Sequence, residues 1–478
     1  MPDSPLRRIL TLGPLPPEKC AYALARYSRS PDSIAESLNW VRSHDSTRFF
    51  EHFYFQYNHS SIADLGHLVL CFENISELAA IEIEDEPLWD GQAKSSRYQD
   101  FSHCGFVTPP EFEQPAVARY AEAARSLLEA YSRIHEAAAE LLAERLPRPA
   151  DMDPEAYRRN IRARAFDVAR YLLFLGIPTN IGQITSIRTL EKQIRRLRAS
   201  EYLELQNIGE EMAAACARPP ELVWMAEQAG EPVAPTLARW ADADLYLAGA
   251  RAELRAWARQ NLPPAGGLDV ERVELIRPDD RAADIVATLL YPVTNRPFRE
   301  LYELARGWSE AMRREVLEIA SRSRTERDEL LRSFRSAPFA FDIIMDIGAY
   351  RDLHRHRRCH QFRQAFSTEL GYETPRLVAE AGLTSVYADA INRALAVAAE
   401  LPAPGAHYLL PFAVRGRFLF KMDLAEVEYI CRVRTGVKGH FSYRDIAWRM
   451  KCKMEEAVPE LGRLITATPP WVEDPLKR

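Results

Sequence analysis

One order of segments runs through this chain twice. Residues 1–259 and 260–478 each hold an early helical region, then an aromatic or apolar strand, then a polar loop rich in arginine. A long helix, a crossing that contains proline and an arginine-rich helix complete each half. IRRLR at 194–198 is similar to ICRVR at 430–434, and IPTN at 177–180 takes the place of LLPF at 409–412. A chain built by internal repetition is confined to architectures that use one unit twice. Without the repeat, 478 residues would admit about three ordinary domains or two larger ones. The repeat selects two units, 1–259 and 260–478, with two unrelated helical domains as the open alternative.

Composition narrows the class. Hydrophobic residues at 47% and charged residues at 27% exclude a chain disordered throughout and supply a sizeable core. The net charge of -6 gives no electrostatic reason to expect a nucleic acid as partner, although a local basic pocket is compatible with it. The seven cysteines include no CxxC pair, which points to a reducing cytoplasm. No apolar stretch approaches the roughly 18 residues of a membrane span, so the expectation is a soluble cytoplasmic protein with no membrane partner.

Periodicity and capping residues predict a helical region over 17–47, opening near Pro17 with Ser30 or Asp32 as a cap. A strand is expected at 49–59, an ambiguous segment at 60–73 and a loop at 84–91. Long helices are expected at 116–145, 155–175 and 188–215, with two more at 220–228 and 234–259. NLPPAGGLD at 261–269 reads as a linker and VERVELI at 270–276 as a strand. Then follow a helix at 297–328, a strand or buried segment at 338–349, a helix at 382–400, and a turn, strand and helix within 403–436. The residues after 466 read as a surface strap.

The densest chemistry lies in YRDLHRHRRCHQFRQ, 350–364. On a helix, Arg351, Arg355 and Arg358 share one face, with Asp352 and His356 on a neighbouring one. So much like charge favours a bound phosphate or polyanionic cofactor. A solvated basic helix end remains the alternative. His356 and His360 have a metal-ligand spacing, but the flanking arginines oppose a cation and no metal is expected.

Arg355, His356 and Arg357 resemble the RHR triplet of the flavin-dependent, or alternative, thymidylate synthases. The family's spacer of seven residues ends here on Ala365 instead of serine, with Ser367 and Thr368 in place of an Arg-Tyr pair. Asp352 replaces the usual glutamine. The first half is complementary. His59, Ser61, Ile62 and Asp64 resemble the family's approach segment, Ser76 keeps a family serine, and Glu77 replaces an arginine. The triplet position there reads Asp85, Glu86, Pro87, whereas the motif's end is kept as Ser95, Ser96, Arg97 and Tyr98. The segments 177–198 and 409–434 resemble the family's proline turn and nucleotide-side arginine helix.

This resemblance implies an α+β fold of two tandem units, each with long helices packed on a small mixed sheet. It implies FAD as cofactor, and dUMP, methylenetetrahydrofolate and NADPH as reactants for dTMP synthesis. A homodimer of two-unit chains would then stand for the family's homotetramer. Arg355, Arg357 and His356 would be the catalytic group, with Arg351 and His59 joining them at the cofactor. Ser95, Ser96, Arg97, Tyr98 and Arg188 would bind the nucleotide. The complementary losses predict one composite site per chain, and a dead reciprocal site from 85–87 and 365–368. A homologue that has lost catalysis and binds nucleotide or serves as a scaffold is the alternative. Outside the motif, Trp89 reads as a packing anchor, and His52, His59 and His67 as hydrogen-bonded histidines. Lys438, His440, Tyr443 and Arg444 form a second polar candidate. No Walker loop or dinucleotide GxGxxG is present, so side chains must hold any phosphate.

Overall fold

The computed structural model of the chain describes residues 16–27, 33–44, 64–218, 245–264, 279–294, 296–325, 328, 330–335, 338–474 and 476. The readings at 49–59, 220–228 and 270–276, most of the linker at 261–269, and His52 lie outside the described residues.

Helices α1 (Pro17–Tyr27) and α2 (Ile34–Arg42) pack together, and α2 is capped by Ser33 in a capping box with Glu36, one residue beyond the expected Asp32. Strand β1 (His67–Ser76) runs directly into α3 (Glu77–Glu84) and is followed by the short β2 (Asp90–Ala93). Two long helices, α4 (Ala116–Arg145) and α5 (Pro154–Ala169), lead to β3 (Pro178–Ser186), α6 (Ile187–Arg198) and α7 (Leu203–Cys216). Helices α8 (Leu245–Asn261), α9 (Arg281–Leu290), α10 (Phe298–Gly307) and α11 (Glu310–Ile319) come next. The second unit then repeats the first: β4 (Phe339–Asp346), α12 (Ile347–His354), β5 (His360–Arg363), α13 (Thr384–Glu400), β6 (Arg415–Met422), α14 (Leu424–Arg434) and α15 (Phe441–Ala457).

The sheets make the duplication explicit. Their strand orders are β1-β3-β2 and β4-β6-β5, so each unit lays its late strand between its two early ones. All four pairings are antiparallel, which corrects the expectation of a mixed sheet: each central strand returns against both neighbours. β1 carries a bulge between Phe72 and Ile75, where Asn74 takes a left-handed φ of 58° that asparagine tolerates. Counted from the caps Ser186 and Asp423, Ile194 lies opposite Cys431 and not Ile430. The same count sets 409–412 against 172–175 instead of 177–180.

Long periodic stretches break where a cap or an extended residue intervenes. The expected helix at 188–215 divides after Arg198, and that at 297–328 divides at Trp308, whose extended backbone precedes the capping Ser309. The helix expected at 155–175 stops at Ala169, and 60–73 resolves into β1 from His67. α8 runs through the expected boundary at 259 and packs on the second half, with Tyr246 Oη donating to Ala320 O at 2.6 Å and Trp257 edge-on to Trp308.

The two units share one core. Buried residues from Phe72 to Ile465 form a single contiguous cluster. Among the described residues no helix is long and apolar enough to cross a membrane.

Candidate functional site

The units meet along two extended segments that run antiparallel, one before β3 and one before β6. Gly176 N donates to Tyr408 O at 2.7 Å, Leu175 N to Leu410 O at 3.2 Å, and Phe412 N to Leu173 O at 2.7 Å. Gly176 is required here, because a Cβ would stand 2.0 Å from Tyr120 Oη and 3.1 Å from Tyr408 O. This crossing sets α3 of one unit beside α12 of the other. Both helices start at a strand end on a capping side chain: Ser76 Oγ accepts from Ala79 N at 2.9 Å, and Asp346 Oδ1 from Ala349 N at 2.7 Å.

The helical turn that precedes the retained triplet touches the retained motif end at this seam. Arg351, 6% exposed on α12, donates from Nη1 to Ser96 Oγ at 3.0 Å and lies over the Phe412 ring. Arg355 follows Arg351 by one helical turn, about 6 Å along the axis. The charge of this cluster is balanced from within the chain. Arg351 pairs with Glu77, Arg170 with Asp352 at 3.0 Å, and Arg97 bidentately with Asp167 at 2.8 and 3.2 Å. Burial raises the proton affinity of Asp352, but Arg170, Arg97, Arg351 and Arg355 outweigh it and hold the carboxyl well below the usual range. For Arg351 the expected external anion is replaced by Glu77 of the other unit.

Arg97 is further held by the second polar candidate. Its Nη1 donates to Tyr443 Oη at 2.8 Å and its Nη2 to Lys438 O at 2.9 Å. His440 caps α15 through Nδ1, which accepts from Ser442 N, and donates from Nε2 to Asp167 O at 2.9 Å. Its complete burial, with Arg170 and Arg97 nearby, keeps that imidazole neutral.

His356 is a buried strut. Arg434 Nε donates to His356 Nε2 at 2.7 Å, so that nitrogen keeps its lone pair and the proton sits on Nδ1, facing Glu426 Oε1 at 3.3 Å. Burial lowers its proton affinity, in keeping with this neutral form. Both ring nitrogens are engaged inside the protein.

Beside the triplet a gap of about 250 Å³ opens. Glu84, Asp85, Glu86 and Pro87 form one wall, and His354, His356, Arg357 and Phe362 stand across it. The triplet positions of the two units therefore face each other over one gap. Arg357 reaches Asp90 at 2.6 Å in a pair that is 36% and 67% exposed, and Arg355 Nε is buried without a hydrogen-bond partner. An adjoining gap runs past Glu82, Tyr350 and Arg363, where Arg363 bonds Glu82 at 2.6 Å.

Other expected residues lie differently. Ser95 Oγ accepts from Arg97 N, and Tyr98 is 57% exposed beside the Arg97 guanidinium. Arg188 is held by Asp64 at the start of α6, through Nε at 2.8 Å. His59 lies outside the described residues. Trp89 is 3% exposed and donates to Gln183 Oε1 at 2.7 Å, as a packing anchor does. Sequence reasoning missed Asp167, Arg170, Glu426 and Arg434, which approach from other elements.

The sequence profile described as thymidylate synthase complementing protein matches residues 13–218 and 297–460. A UPF0159 protein of Chlamydia muridarum (strain MoPn / Nigg) is 28% identical over 401 residues, 81% of this chain and 74% of the relative. One of Chlamydia pneumoniae is 26% identical over 413 residues, 84% and 76% of the two chains. One of Thermoplasma acidophilum is 24% identical over 489 residues, 92% and 93% of the two chains.

Proposed function

The chain belongs to the thymidylate synthase complementing protein family, and from that premise we propose that it carries out flavin-dependent transfer on a pyrimidine nucleotide. The simplest reaction is dUMP to dTMP, with methylenetetrahydrofolate and NADPH as co-substrates. The observation that carries this reading is the Arg351–Ser96 hydrogen bond, which sets the helical turn just before the kept triplet of one unit against the kept motif end of the other. Neither unit has both pieces, so a single composite site per chain accounts for the duplication. A homodimer of such chains would match the number of units in the family's tetramer.

The donor set at the gap mouth suits FAD in part. Arg355, with its partnerless Nε, and Arg357, whose partner Asp90 is mostly exposed, are the two that would hold it. Bound there, FAD would supply the hydride. Arg351 and Arg97 are sealed by Glu77 and Asp167, so their part is to fix α12 and the 95–98 turn in place. His356 orients the triplet through Glu426 and Arg434.

The test is the absorbance of the purified protein, followed by deuterium exchange and methyl transfer on dUMP. Bound flavin, lost on Arg357→Ala, supports the reading. A protein that retains no flavin after reconstitution and exchanges no deuterium overturns it.

One observation favours a second reading, a homologue that binds nucleotide or acts as a scaffold without catalysis. The chain's own carboxylates occupy the buried arginines, and Glu84, Asp85 and Glu86 line the gap where an anion would approach. Under that reading Arg357→Ala changes nothing that the same assays measure.

A further inference from the structure

Glu84 stands at the last turn of α3, 8% exposed, with its side chain on the wall of the gap. Among the described residues its carboxyl has no hydrogen bond and no ion pair, unlike Glu77 and Glu82 on the same helix. A carboxyl buried to this degree without a partner is costly unless it is protonated or meets a ligand. We infer that Glu84 is the residue through which the gap holds a ligand, donating a hydrogen bond to an acceptor atom of a planar, uncharged ring.

The charges around Glu84 fit that role. Burial raises its proton affinity, Arg355 and Arg351 oppose the rise, Glu77 and Asp352 add to it, and the balance pushes the carboxyl up to about 7. Asp85 and Glu86 on the same wall disfavour an anionic ring. Across the gap His354 and His356 are kept neutral by burial, which leaves Arg357, the exposed His360 and Gln361 as the facing polar groups. Phe362, 56% exposed, offers a flat apolar face. The volume of about 250 Å³ admits one heterocycle of nucleobase size. This deepens the reading of the seam as a pyrimidine-nucleotide site and rests on it for the choice of ring.

Deoxyuridine, the nucleoside without phosphate, is the probe, titrated calorimetrically into the full chain at pH 6 and pH 8. With a midpoint near 7 the protonated fraction falls about tenfold between these values, so wild-type affinity should fall about tenfold. Glu84→Gln, a permanent neutral donor, should bind equally at both pH values, near the wild-type affinity at pH 6. Glu84→Leu should bind weakly at both, and His360→Asn should keep the tenfold fall between pH 6 and pH 8, which assigns the titration to Glu84. A pH dependence that persists in Glu84→Gln, or wild type that binds no deoxyuridine at pH 6, overturns the inference. Deuterium exchange on dUMP, measured separately, shows whether the nucleotide reading survives that failure.

Discussion

Arg351 has Glu77 on one side and Ser96 on the other, and at 6% exposure no water replaces either. Removing one member of a buried pair leaves an uncompensated charge, at a cost of about 3–5 kcal/mol, whereas removing both costs far less. Glu77→Ala should therefore lose roughly that much stability in urea. Glu77→Ala with Arg351→Met should recover most of it, and equal losses in the two variants would refute the pairing. Glu84 gives the opposite sign of pH dependence from an ordinary paired carboxyl. Its folded proton affinity, near 7, exceeds the unfolded value of about 4.3, so between those values the native state binds more protons. Its contribution is present below the lower value and is lost as pH rises through 7. Glu84→Gln should raise the urea midpoint at pH 8 and leave it unchanged at pH 4. Asp352 acts the other way: its stabilisation is present above about pH 3.9 and is lost as pH falls through its depressed folded value. At this scale the triplet 355–357 was legible in the sequence because its three residues are contiguous. Its partners were not, since Glu426 and Arg434 come from another helix and Asp90 from another unit.

Elements end where side chains satisfy their free amides. Ser33 and Ser76 both cap helices, but Ser33 does so in solvent while Ser76 is fully buried and also donates to Glu204 at 2.6 Å. A lost exposed cap costs about 1 kcal/mol. Ser76→Ala should cost more, on the order of 2–3 kcal/mol, because it also removes a hydrogen bond to the buried Glu204 carboxylate. Comparing the urea midpoints of Ser33→Ala and Ser76→Ala checks this, and equal shifts would count against the buried network. The helices at 116–145 and 384–400 were legible because their apolar spacing runs unbroken. The splits after Arg198 and at Trp308 were not, since nothing there breaks the compositional pattern of a helix. The α3 helix was missed, and the start of α12 was read as a strand or buried segment, for another reason. Each is a single buried stretch of eight residues continuing a strand, so neither shows an amphipathic face.

For the whole molecule, the loose recurrence of segments had its physical counterpart in two sheets of identical strand order. What the recurrence did not show is how the units join. Residues 172–175 and 409–410 are at most 3% exposed, and the backbone groups of Leu173, Leu175 and Leu410 bond across the seam. Separated, each half would expose that strand together with Arg97 and Arg351, whose partners include groups of the other half. An unpaired apolar edge of this kind cannot be left in water without collapse or aggregation. Residues 1–259 expressed alone should therefore show no cooperative urea transition, and residues 260–478 alone should behave likewise. Produced together in one cell, the two pieces should co-purify and regain a single transition, because the seam needs no continuous chain through it. A fragment that unfolds cooperatively by itself would mean that the units are independent domains that merely touch, and the composite site would then lose its structural basis.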